Sequence, residues 1–164
     1  MKKISTIALL FSCFMINAQA YKGKGDAKFN IGANIQNGGT GIQVSTDFGI
    51  GENLSYGFVG SYLLGVDDFL GVKPEFKDRF DAKFRINANI GNVLKINEKL
   101  DVYPGLSLGL KNFGGHLGMR YFFSEGFGVF TEAGFPIAKY DQNITGFDHL
   151  NNQFTFSIGA SFNM

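Results

Sequence analysis

Cysteine is all but missing from this chain: Cys13 is the single one among 164 residues, so no intramolecular disulfide can staple the fold. Charge of one sign is missing as well. The 15 Lys and Arg nearly balance the 14 Asp and Glu, which leaves no basic footprint for a nucleic-acid partner. After Ile16 no unbroken apolar stretch approaches the roughly 18 to 20 residues that a membrane-spanning helix needs. The 3.6-residue apolar repeat of amphipathic helices is scarce too. The two histidines, His116 and His149, lie far apart without ligand spacing, so neither a metal site nor a cofactor is expected.

What is present begins with the first twenty residues, "MKKISTIALLFSCFMINAQA". Two lysines precede an apolar run from Ile4 to Ile16, and Ala18-Gln19-Ala20 closes it, the pattern of a secretory signal peptide with an A-x-A cleavage site. Cleavage before Tyr21 leaves residues 21–164 as one domain. Once Lys2 and Lys3 are gone, 13 basic residues face 14 acids. Cys13 sits in "LFSC", a faint likeness to a lipobox, but the apolar run continues past it to Ile16. The favoured reading therefore removes the cysteine with the leader, and any membrane role falls to strands.

Eight segments alternate apolar and polar residues with a period of two, the signature of strands with one apolar face. The clearest is "RFDAKFRINANI", where Phe80, Ala82, Phe84, Ile86, Ala88 and Ile90 alternate with Asp81, Lys83, Arg85, Asn87 and Asn89. The last, "FTFSIGASFNM", runs to the final residue. Tight connections at Gly51-Glu52-Asn53 and Ser124-Glu125-Gly126 contrast with long ones at residues 65–79 and 136–152. An even-numbered meander with turns at one end and loops at the other is the plan of an all-β, eight-stranded antiparallel up-and-down barrel.

Alternation alone does not say whether the apolar face meets a core or lipid. The polar phase decides. It is rich in Gly57, Gly105, Gly118, Gly159, Ser45, Ser107 and similar small residues, which gain nothing on a water-facing strand but fit a narrow lumen. Ten of the 19 phenylalanines lie in the apolar phase and would overfill such a lumen. The apolar face is therefore expected to meet lipid, as in a transmembrane β-barrel. Aromatics fall near both ends of the wall, Phe48, Tyr56, Phe123, Phe127 and Phe162 at one and Tyr62, Phe80, Phe135 and Phe154 at the other, as interfacial girdles do.

The inward phase carries Lys28, Asp47, Asp81, Lys83, Arg85, His116, Arg120 and Glu132. Buried charges need partners, and Arg85, Arg120 and Glu132 fall near mid-wall. A network joining both arginines to Glu132, with Asp47 within reach, is expected to fill and neutralise the lumen. A serine hydrolase would need a nucleophile within reach of His116, but the next position on the same face is Gly118, so catalysis is not expected. The segment "GVDDFLGVKPEFKDR", with Asp67, Asp68, Lys73, Lys77 and Arg79, reads as a solvated loop.

The final strand resembles the sorting signal of outer-membrane barrels: Ser157, Gly159 two residues on, then apolar Phe162 and Met164. Met164 stands where many members end in Phe. Over residues 21–164 the chain is similar to the small eight-stranded outer-membrane barrels of the OmpA transmembrane-domain and OmpX type, closest to uncharacterised small barrels of the Bacteroidota. The resemblance implies a Gram-negative cell outer membrane, a monomer, contact with outer-membrane lipids, and the barrel-assembly machinery as partner during insertion. It also implies that the chain ends on a strand because that strand closes the wall and is read as the insertion address. A structural or surface-interaction role is expected. The alternative, OmpW-like transport of a small apolar molecule, wants an apolar upper lumen, where the phase instead places Gln36, Gln43, Asp81, His116 and Gln153.

Phe162→Asp combined with Met164→Asp is expected to leave the chain in the periplasm, because charge on the lipid face costs up to about 2–4 kcal/mol depending on depth. Cell fractionation reads the outcome, and normal membrane assembly of the double variant contradicts it.

Overall fold

In a computed structural model, the described residues are 19–68, 72–141 and 146–164. Cys13 and all of the leader but Gln19 and Ala20 lie outside them, as do short parts of two loops. Each period-two segment forms a strand: β1 (Ala27–Gln36), β2 (Gly39–Gly49), β3 (Leu54–Val66), β4 (Phe80–Ala88), β5 (Leu100–Gly109), β6 (Asn112–Phe122), β7 (Phe127–Lys139) and β8 (Thr155–Asn163). Among the described residues these eight strands close into a barrel in chain order, every neighbour antiparallel.

The chain's end lies inside the wall. β8 pairs with β7 on one side and with β1 on the other, from Lys28 opposite Asn163 to Gln36 opposite Thr155. The Met164 N–H donates to the Ala27 carbonyl at 3.0 Å. The last strand thus leaves no free sheet edge, which closure alone removes.

At the turn end, Ile50–Asn53 and Phe123–Gly126 are tight, and the β4–β5 connection carries a single helical turn, α2 (Gly91–Leu94). At the loop end, Asn37-Gly38 and Leu110-Lys111 are two-residue turns, Gly38 supplying the positive φ of 72° that a tight hairpin favours. The long β3–β4 loop holds α1 (Phe76–Arg79). In it Lys77 pairs with Glu75 at 3.2 Å on the exposed surface, and Arg79 donates to the Leu64 carbonyl at 3.4 Å.

Proline marks two departures from the simple meander. β7 extends to Lys139, beyond Pro136 where the sequence reading began a loop. Pro136 stands opposite Gly114 next to a register shift at Phe113/Gly114, a bulge that accommodates a residue with no N–H to give. β5 runs on through Pro104, which pairs with Leu117 of β6, but the β4–β5 ladder stops beside it and is the shortest of the eight, from Lys83 opposite Gly109 to Asn87 opposite Gly105.

Burial is inverted relative to a water-soluble domain. Phe58 is 54% exposed and Leu117 53%, whereas Arg85 is 1% and Arg120 0% exposed. So broad an apolar band is not a surface that water-soluble monomers carry. Rings meet at both of its rims and, through Phe58 and Phe84 at 5.6 Å, in mid-wall. At the turn end Phe48 meets Tyr56 (5.6 Å between centroids) and Phe127 meets Phe162 (5.6 Å), while at the loop end Phe76 stacks on Phe80 (5.4 Å) and lies 5.6 Å from Tyr62.

A ring of backbone hydrogen bonds with no edge resists opening. The folded chain is expected to migrate faster than its boiled form in SDS gels. Identical mobility before and after boiling contradicts closure.

Candidate functional site

Among the described residues the buried charges gather in the lumen, and their centre is Asp47. Its carboxylate takes Arg85 in a bidentate grip, Nε to Oδ1 at 2.7 Å and Nη2 to Oδ2 at 2.7 Å. It also takes the Arg120 Nη2 and the Asn87 amide at 2.9 Å. Arg85 donates its remaining Nη1 to Glu132 at 2.6 Å and shares Nη2 with the Ser45 hydroxyl at 3.0 Å. Two carboxylates thus neutralise two guanidinium groups. The expectation that both arginines meet Glu132 is corrected: Arg120 pairs with Asp47 alone.

Geometry explains the correction. Asp47 on β2 and Arg85 on β4 both stand opposite Gly57 of the intervening β3. A Cβ at Gly57 would collide with the Asp47 carboxylate, so the missing side chain is what lets the pair meet across a strand. Arg120 is held from the other side: its guanidinium lies 3.9 Å over the Tyr103 ring, a cation–π contact. That ring covers Gly118, where any side chain would overlap it.

Below this layer the turn end is plugged. Asn89 donates to Asp101 at 2.7 Å and accepts from Ser55 at 2.8 Å. Phe122 and Phe130 fill the lumen beside them, both essentially without exposure. Lys28 pairs with Asp26 at 2.5 Å and lies 5.3 Å over the Phe122 ring. The chain before β1 folds under this plug: Ala20 is buried, its N–H bonded to the Glu98 carbonyl at 2.8 Å. The Tyr21 hydroxyl donates to the carbonyls of Leu54 (2.7 Å) and Gly51 (3.0 Å). Burial, then the negative charges of Asp26 and Asp101, push that hydroxyl up to about 12, so it remains a donor at physiological pH.

Above the ion network lies a small polar cavity of about 30 Å³. Asp81 faces it with the Lys83 ammonium 3.5 Å away. His116 Nε2 meets the Asn87 side-chain oxygen at 2.7 Å rather than a serine hydroxyl. The β7–β8 loop roofs the cavity. Leu150 is fully buried, and Asn151, at a positive φ of 60°, exchanges two hydrogen bonds with Gln36 at 2.9 and 3.2 Å. Lys111 ties this roof to the β3–β4 loop by donating to the carbonyls of Leu150 (3.0 Å) and Asp78 (3.1 Å).

Every inward charge singled out in the sequence faces the lumen. Ser157 does so too, donating to Gln43 at 2.9 Å, and Gly159 is in register with Gly32, while Phe162 and Met164 point out of the wall. Sequence reasoning missed Tyr103, Asp101 and the loop residues Leu150–Asn152, and it placed Asn87 and Asn89 in the inward phase without giving them a part in the network. Tyr103 and Asp101 were legible as inward by phase alone. The loop residues carry no periodic signal, although the asparagine pair after an isolated leucine marks a left-handed turn.

A closed eight-stranded wall with charges inside and apolar side chains outside is a barrel of the transmembrane class. The chain belongs to a family of unknown function (DUF6646), whose family model matches residues 11–164. Among solved structures, a protein from "De novo design of transmembrane beta-barrels" is similar to it, with a TM-score of 0.59 at 10% identity over 87% of this chain and 98% of that one. At that identity the likeness is one of fold alone. A search of curated proteins gives no match.

Because Asp47 serves both arginines, Asp47→Asn is expected to lower unfolding free energy by about 3–5 kcal/mol, the cost of stranding a buried charge. Glu132→Gln should cost less, since Arg85 keeps Asp47. Adding Arg120→Gln to Asp47→Asn should cost less than the sum of the two single changes. Urea unfolding followed by circular dichroism measures all four variants, and a Glu132→Gln loss equal to or above that of Asp47→Asn contradicts the ranking.

Proposed function

We propose that this chain is an exported outer-membrane barrel with a filled lumen, acting as a structural or surface-interaction element of the envelope rather than as a catalyst. The observation that carries this reading is the threefold closure of the lumen: the plug of Phe122, Phe130 and Lys28, the Asp47 network, and the Leu150–Asn152 roof. The long connections of the loop end offer irregular backbone for contacts with another molecule. The leader pattern of residues 1–20 and the final strand's Ser157, Gly159, Phe162 and Met164 support export and insertion by the barrel-assembly machinery. The plan of strands and loops supports an OmpA-like or OmpX-like monomer bathed in outer-membrane lipid. A transport role for a small apolar molecule is disfavoured, because the cavity under the roof is lined by Asn34, Gln43, Asp81, Lys83, His116 and Glu132.

In planar bilayers the native protein is expected to show little steady conductance. Large, stable and reproducible channels would reject the filled-lumen reading and favour transport.

A further inference from the structure

The three connections at the turn end differ in kind. The tips of two, Gly51-Glu52-Asn53 and Ser124-Glu125-Gly126, are polar, as water-facing turns are, and each carries one exposed apolar residue at its edge, Ile50 and Phe123. The β4–β5 connection instead exposes three large apolar side chains within four residues: Val93 at 60%, Leu94 at 47% and Ile96 at 69%. Nothing in the turn requires them. Its backbone is satisfied internally, Leu94 N–H to Ile90 O at 3.0 Å and Lys95 N–H to Gly91 O at 3.3 Å, and Lys95 takes the left-handed cap.

Their placement continues the lipid-facing wall. Phe84, Ile86 and Ala88 form the outward phase of β4, and Ile90 follows in the same phase. Leu94, four residues on in a helical turn, stands on the same face as Ile90. The outward stripe therefore runs past the end of the strand onto the connection. Three lysines against two carboxylates flank it: Lys95 is exposed within the turn with Glu98, and exposed Lys22 and Lys24 share a groove with Val93 and Glu52. Apolar side chains under a fringe of lysines are the composition of a segment lying in a membrane interface, and lysines close to an anionic surface are drawn to it.

We propose that the β4–β5 connection is an interfacial anchor: Val93, Leu94 and Ile96 enter the acyl-chain boundary of the leaflet at the turn end, while Lys95, Lys22 and Lys24 meet lipid phosphates. The anchor sits under the seam where Pro104 leaves the β4–β5 ladder shortest, and it sets the depth of the barrel on that side. The inference rests on the membrane-barrel reading.

The chain has no tryptophan, so a single introduced one is an unambiguous reporter. Leu94→Trp, with Ile96→Trp as a second site in case the first does not fold, is compared with Phe84→Trp in the wall and Glu125→Trp in a polar turn at the same end. Each is reconstituted in vesicles of phosphatidylcholine and phosphatidylglycerol whose chains are brominated near the headgroup, after a heat-dependent gel shift has established folding. The expected result is blue-shifted emission and severalfold stronger quenching for Leu94→Trp than for Glu125→Trp. Emission and quenching equal to those of Glu125→Trp, with Phe84→Trp quenched, overturn the anchor and leave the membrane barrel standing. An unquenched Phe84→Trp overturns both. Adding Lys95→Glu to Leu94→Trp is expected to weaken quenching only where phosphatidylglycerol is present, and unchanged quenching overturns the phosphate contact.

Discussion

Two guanidinium groups and two carboxylates share a space from which water is almost wholly excluded, and one carboxylate, that of Asp47, holds both guanidinium groups. Charge moved out of water is costly unless paired and hydrogen-bonded, so this layer constrains everything around it. It needs a wall narrow enough to bring β2, β4 and β6 within reach of one another, which eight strands provide. It needs Gly57 between Asp47 and Arg85, and Gly118 beneath Tyr103, because a side chain at either position would occupy the space of the contact. The glycines and serines of the inward phase are thus the complement of a few long charged side chains.

The same constraint settles which way the apolar side chains point. With the interior given over to Arg85, Arg120, Tyr103 and the asparagines, Phe58, Leu106 and Leu117 can only face outward, where they make a surface suited to hydrocarbon. Among the described residues the two ends of the lumen are occupied by different chemistry. At the turn end it is aromatic and ionic, with Phe122 under Lys28 and Asp26. At the loop end it is a hydrogen-bonded roof in which Asn151 reads both Gln36 and the Asp78 and Arg79 carbonyls.

Much of this was legible in the sequence because a strand's period of two assigns a face to each residue. The alternation in "RFDAKFRINANI" placed Arg85 inward and Phe84 outward without further information, and the uninterrupted pattern up to Met164 made the last strand part of the wall. Phase fixes a face but not an azimuth or a height, so it did not decide that Arg120 meets Asp47 instead of Glu132. That pairing depends on the stagger between strands and on the gap at Gly57. Loops obey no period at all, which is why the Leu150–Asn152 roof was out of reach. Pro136 misled because proline usually ends a strand, whereas here a neighbouring bulge accommodates it.

The central claim is that the polar phase is sealed inside and the apolar phase faces lipid. The most direct measurement is thiol accessibility in the processed chain, which lacks Cys13 if the leader is removed. Ser61→Cys and Ser107→Cys report on the lumen with little change in volume, and Phe84→Cys and Leu106→Cys report on the outer wall. In intact vesicles a charged, water-soluble maleimide should label none of the four, and a membrane-partitioning maleimide should label only the two outer sites. Labelling of Ser107→Cys by the charged reagent would mean an open lumen, and labelling of Phe84→Cys by it would mean a wall that faces water.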